Sequence, residues 1–165
     1  MIGTYITIFV VLLLIASGLF TVRQQTVAII ERFGKFQSTR KPGLQIKIPL
    51  IDRVSGRVSL RVQQLDVIVE TKTKDDVFVH LKISVQFLIR PGHVYDAFYK
   101  LQNPHEQITA FIFDVVRAEV PKMILDDVFE KKEEIALAIQ RDLKEAMLNY
   151  GYDIIKALVT DIDPD

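Results

Sequence analysis

Three histidines, His80, His93 and His105, are the first candidates for chemistry, because imidazole is the commonest metal ligand and general base. No two of them stand four residues apart, and no His-Glu-x-x-His occurs, so no helix face presents a pair of ligands. His80 falls on the polar side of an alternating run and His105 in the first turn of a helix. Both positions suit a solvent-facing or locally bonded ring. The chain has no Cys, which excludes disulfides, thiolate zinc sites and Cys nucleophiles. Asp75-Asp76, Asp126-Asp127 and Glu133-Glu134 are carboxylate pairs, but sequence neighbours do not face each other on a helix. The first suits a turn and the second a helix cap. Asp161 and Asp163 share one face of a strand, compatible with a cation site or with a solvated edge. None of the five Ser sits in a Gly-x-Ser-x-Gly context, and no P-loop or Gly-rich dinucleotide motif occurs. The expectation is a chain that is not an enzyme, with no catalytic residue, metal or cofactor.

Surface chemistry is better represented. Arg53, Arg57 and Arg61 join Lys35, Arg40, Lys41 and Lys47 in one basic stretch, and Ile48, Pro49, Leu50 and Ile51 form an apolar loop within it. Cations near an anionic bilayer are worth about 1 kcal/mol each. The expected membrane-contact residues are Arg23, Arg40, Lys41, Lys47, Pro49, Leu50, Ile51 and Arg53. The competing reading is scattered solubilising charge around a loop that closes the core. The run Glu130-Lys131-Lys132-Glu133-Glu134 reads as the wet face of a helix, with Arg141 and Glu145 as an i,i+4 pair.

These residues follow a segment of opposite character. Residues 1–22 contain no Asp, Glu, Lys or Arg. As a helix, residues 2–22 rise about 31 Å, close to the thickness of a bilayer's hydrocarbon core. Thr4, Thr7 and Ser17 can bond back to their own helix, and Tyr5 and Arg23 suit the two interfaces. A core helix rarely runs so far without charge. A cleaved signal peptide wants a cation before the apolar run, and none is present despite the small residues Ala16-Ser17-Gly18. Residues 1–22 are therefore expected to be a transmembrane anchor. Arg23, Arg32, Lys35, Arg40 and Lys41 follow it, so the positive-inside rule predicts a single-pass protein of the cell membrane with residues 23–165 in the cytoplasm.

Those residues make one domain of ordinary size. The 21 basic residues balance 21 acidic ones, and nothing in the composition argues for nucleic acid. Residues 26–32 and 44–48 alternate as strands, and Lys41-Pro42-Gly43 is a turn. Residues 57–62 and 65–71 read as further strands. From Val77 to Ile89 seven apolar residues recur at period two, predicting a long strand with a bulge or strong twist. Helical period then takes over. Residues 94–101 form a short helix. Asn103-Pro104-His105-Glu106 starts another, with the stripe Ile108, Phe111, Ile112, Val115 and Ala118. After Pro121, Asp126 or Asp127 is expected to cap a segment that buries Ile135, Ala138, Ile139, Leu143, Ala146, Met147 and Tyr150. Gly151 takes the left-handed position past its end. Residues 152–162 return to strand. The order predicts an α+β fold, a mostly antiparallel sheet with helices packed on one face.

The same residues carry a family likeness. Thr26-Val27-Ala28-Ile29-Ile30-Glu31-Arg32-Phe33-Gly34-Lys35-Phe36, then Lys41-Pro42-Gly43 and Ile48-Pro49-Leu50-Ile51-Asp52-Arg53, resemble the start of the SPFH or band 7 domain of stomatins, prohibitins and flotillins. Residues 65–79, 97–104 and 113–121 are more specific and look closest to stomatin-like and hypersensitive-induced-response proteins. The resemblance covers about residues 22–165. It implies a membrane-anchored homo-oligomer, a ring or cage, acting as a scaffold that organises membrane lipids into microdomains with associated proteins. The alternative is a regulatory subunit of a membrane protease or channel. Implied partners are membrane lipids, further copies, and a membrane protease or NfeD-like membrane protein. It also implies that the region around residues 48–51 lies near the membrane. Two departures accompany it. Ile2 and Gly3 do not supply the Met-Gly start of a myristoylation signal, so the anchor is expected to be protein. The long coiled coil that usually follows Asp161-Ile162-Asp163-Pro164 is absent from these residues.

Overall fold

The computed structural model describes residues 2–165, which divide into two compact units, residues 2–61 and Val62–Asp165. Unit 1 begins with α1 (Ile2–Gly18), followed by β1 (Leu19–Val22), β2 (Thr26–Arg32), β3 (Lys35–Arg40), β4 (Gly43–Ile46) and β5 (Asp52–Ser59). β1 pairs β4, and β3-β2-β5 form a three-stranded sheet. Val27, Ala28, Ile29 and Ile30 are all buried, so β2 is covered on both faces.

The predicted anchor helix over residues 2–22 is corrected here. The helix stops at Gly18 after 17 residues, and Leu19–Val22 are strand. Long-range pairing overrides the apolar run: Leu19 faces Ile46 and Val22 faces Gly43 across the ladder. Lys47 N–H donates to the Gly18 carbonyl at 2.8 Å. A Cβ on Gly18 would lie 2.5 Å from the Lys47 carbonyl oxygen, so only glycine allows the returning chain this close. The helix rises about 25 Å, short of a roughly 30 Å hydrocarbon core. Among the described residues no helix is long and apolar enough to cross a membrane.

Unit 2 contains β6 (Gln63–Lys72), β7 (Phe78–Ile89), α2 (Val94–Tyr99), α3 (Pro104–Glu119), a 3-10 turn (Val120–Lys122), α4 (Leu125–Glu130), α5 (Lys132–Leu148) and β8 (Tyr152–Pro164). Its sheet has the order β6-β7-β8 and is antiparallel throughout. The long central strand is as expected, but the expected bulge falls on its neighbour: the register slips at Lys82/Ile83 and Gln86/Phe87 leave Thr160 and Ile155 of β8 as the extra residues, while the β6–β7 ladder runs without a slip. α3 and α5 pack together, α3 against β6 and α5 against β8. Phe87, Leu81, Ile83, Ile108, Ile112, Ile139, Leu143 and Met147 fill the space between sheet and helices. The expected α+β class therefore holds, with three antiparallel sheets in place of one.

Helix ends repay the local reading in part. Asn103 caps α3, its side-chain oxygen accepting from Glu106 N–H at 3.3 Å, with Pro104 in the first turn. Gly151 has φ +81° and lies so close to the His93 carbonyl that a Cβ would sit 2.5 Å away. On α3, Val116 is buried and Ala118 exposed, a small rotation of the expected stripe. Neither Asp126 nor Asp127 caps a helix; both lie inside the first turn of α4. The Leu125 N–H is met instead by Asp75, 50 residues earlier, at 3.1 Å. Arg141 bonds Asp142 at 3.2 Å rather than the expected Glu145.

Candidate membrane-contact site

α1 is apolar around its whole circumference, and its large side chains are exposed within the chain. A helix of this kind is stable only inside a core or a membrane. Its end adjoins a second apolar surface. Leu14, Ile15 and Gly18 of the helix, with Ile46 at the end of β4 and Ile48 and Pro49 beyond it, line a shallow notch that contains only one charged residue, Lys47.

The loop after Lys47 is fastened at its base by a carboxylate. Asp52 is buried, and its Oδ1 accepts from Arg32 Nε at 2.7 Å while Oδ2 accepts from Arg32 Nη2 at 3.3 Å. Oδ2 also accepts from Ile48 N–H at 3.0 Å, and Asp52 N–H donates to the Ile48 carbonyl at 2.9 Å. The Arg32 guanidinium first, and the Ile48 amide second, hold the Asp52 carboxyl below the usual carboxylate range. This reciprocal clamp closes a four-residue loop whose tip, Leu50, has φ +70° and is 96% exposed. A left-handed conformation costs a non-glycine residue about 1–2 kcal/mol, and exposing a leucine forgoes burial as well. Both costs fall on one residue.

A second apolar tip stands beside it. Arg32 faces Asp52 in the β2–β5 register, so the β2–β3 hairpin leaves the sheet at the same end as this loop. Its turn residues Phe33 and Gly34 have φ +50° and +79°, and Phe33 is 82% exposed. Sequence reading passed over Phe33. The signal was an aromatic directly before a turn glycine, where alternation would place no buried side chain.

The expected contact residues thus separate into groups. Lys47 and Pro49 line the notch at the end of α1, and Leu50 and Ile51 follow them as exposed residues of the clamped loop. Arg53 is exposed beside the clamp, across from Glu31. Lys41 is exposed just after β3, its carbonyl accepting from the Gln45 side chain at 3.2 Å. Arg40 is half-buried opposite Ala28, and Arg23 lines a separate cleft with Arg57. The histidines take local roles. His80 lies 3.6 Å from Glu70 and 3.7 Å from Asp165 across the sheet, on the face away from the helices. His93 bonds Asp96 at 3.3 Å and touches the Arg90 guanidinium, fastening the turn into α2. Asp161 and Asp163 stand opposite Lys82 and His80. Among the described residues no three His, Asp or Glu side chains gather as a metal site.

The geometry is that of an α+β chain with an apolar leading helix and two exposed apolar loop tips. The family is identified by comparison: residues 20–165 match the SPFH domain / Band 7 family, and the chain belongs to it. The chain is 46% identical over 145 residues to hypersensitive-induced response protein 4 of Arabidopsis thaliana, covering 87% of this chain and 50% of that protein. It is 29% identical over 141 residues to the mitochondrial stomatin-like protein 2 of Bos taurus and of Homo sapiens, covering 86% of this chain and 39% of each of those proteins. The chain thus spans half or less of the length of these curated relatives.

Proposed function

We propose that this chain is the membrane-seated part of a non-catalytic scaffold. α1 enters the bilayer as the anchor, the Leu50 and Phe33 tips dip into the interface, and Lys41, Lys47 and Arg53 meet anionic headgroups. The observation that carries this reading is α1 itself: an exposed helix, apolar on every side, beside a loop that holds a leucine out under strain. Membership of a family of membrane-associated scaffolds supports it. The described helix enters the hydrocarbon to about 25 Å, without the length to cross it. The cations that follow favour the cytoplasmic face.

Seating then does the work of assembly. Copies held in one plane have a raised effective concentration, so weak lateral contacts between their domains suffice for clusters. Such clusters would confine lipids and neighbouring membrane proteins in microdomains. The test is the mass of the chain extracted from membranes in mild detergent, by native mass spectrometry, beside a variant lacking residues 2–17, which spares β1. Particles of many subunits for the whole chain and a soluble monomer for the variant are expected. Rings of the variant at micromolar concentration without lipid would contradict the tethering account. Stoichiometric capture of one client, without self-assembly, would replace the scaffold with a dedicated regulatory subunit.

A further inference from the structure

A cleft of about 510 Å³ opens in unit 1, lined by Thr21, Arg23, Thr26, Arg57 and Ser59. Strand register explains why these side chains meet. Thr26 faces Ser59 and Ala28 faces Arg57 across the β2–β5 ladder, and alternate residues of a strand share a face. Arg40 also pairs with Ala28 from the β3 side, and its Nε is buried without a hydrogen-bond partner. The small Ala28 therefore stands between two arginines on one face of the sheet.

The lining is two guanidiniums and three hydroxyls, with no carboxylate. Neither Arg23 nor Arg57 forms an ion pair with any described residue, although the chain as a whole is neutral. Two unpaired cations beside hydroxyl donors in a concavity suit a doubly charged anion with several acceptor oxygens. A guanidinium offers a planar fork that matches phosphate oxygens two at a time, and such charged hydrogen bonds are about twice as strong as neutral ones. The volume lies within the range of small-molecule sites, larger than a bare ion needs.

We infer that the Arg23–Arg57 cleft binds a phosphate monoester carried on a larger polar group. Two sources share this chemistry. Thr21 is three residues past the end of α1, at most about 11 Å along an extended chain. The interfacial layer is roughly 5–7 Å deep on each side of a bilayer, so a phosphorylated sugar headgroup raised above it would reach the cleft. A soluble sugar phosphate would reach it equally well. The soluble source needs no seating of α1, whereas the lipid source rests on the seating proposed above.

The experiment uses the whole chain in phosphatidylcholine nanodiscs, where incorporation itself reports seating. Binding of soluble inositol trisphosphate is measured by calorimetry, and binding to vesicles with and without phosphatidylinositol 4-phosphate is measured on the detergent-solubilised chain. Arg23→Gln and Arg57→Gln should each weaken binding at least about tenfold, the weight of one charged hydrogen bond. Arg61→Gln, an exposed arginine outside the cleft, should leave it unchanged. Binding to the soluble probe alone assigns a free phosphate ester; a gain confined to phosphoinositide vesicles assigns a lipid. Absence of both, or binding indifferent to the two cleft variants, overturns the inference. Failure to enter the nanodisc contradicts the seating and leaves the calorimetric arm, run in detergent, to judge the cleft.

Discussion

Asp52 concentrates the local chemistry of unit 1. Its carboxylate joins the Arg32 guanidinium to the Ile48 amide and so fixes the loop that carries Leu50. Because its folded pKa is depressed, the clamp contributes fully above the unfolded carboxyl value near about 3.9 and is lost as pH falls through the lower folded value. Asp52→Asn should free the loop at neutral pH, read as faster amide exchange at residues 48–51, and should remove the acid-induced loosening at this loop. Unchanged exchange would mean that the loop is held by other contacts. Two glycines offer a matched pair in unit 2. Gly92 has φ +85° in open space, whereas Gly151 has φ +81° against the His93 carbonyl. Gly92→Ala should cost only the left-handed penalty of about 1–2 kcal/mol. Gly151→Ala adds a steric conflict of about 1–3 kcal/mol. The difference should appear in the denaturant dependence of exchange in α5. Equal effects would show that the chain at His93 yields freely.

At the level of elements, β7 is the hub of unit 2, and Phe87 is its fully buried aromatic, 6.0 Å from the Tyr152 ring and 5.8 Å from His105. Phe87→Ala should destabilise unit 2 by about 3–5 kcal/mol. Leu137→Ala, on the 64% exposed outer face of α5, should stay within about 0.5 kcal/mol. Urea unfolding followed by helix circular dichroism separates the two, and similar losses would mean that the outer face of α5 is packed. This strand and the α3 start were legible in sequence because their signals are local: period-two alternation in one, Asn103 and Pro104 in the other. The end of α1 was not, because Leu19–Val22 carry the same apolar residues as the helix before them. Only their pairing with Gly43–Ile46 makes them a strand. The start of α4 was hidden for the same reason, its capping carboxylate coming from Asp75 in a distant turn. At the site, Leu50 and Ile51 were visible as an apolar loop, while the clamp beneath them and Phe33 beside them depend on the Arg32–Asp52 register.

For the whole molecule, the central claim is that unit 1 meets the bilayer with α1 and the two strained tips. The chain contains no Trp, so a single introduced tryptophan reports without background. Leu50→Trp and Phe33→Trp place the probe at the tips, and Phe9→Trp places it within α1. Each variant would be reconstituted in vesicles with and without brominated acyl chains, which quench only tryptophans that reach the hydrocarbon boundary. The account predicts strong quenching for Phe9→Trp and clear quenching with a blue-shifted emission for Leu50→Trp. Quenched α1 with a water-like, unquenched Leu50→Trp would leave the loop outside the membrane, and an unquenched Phe9→Trp would contradict the seating altogether.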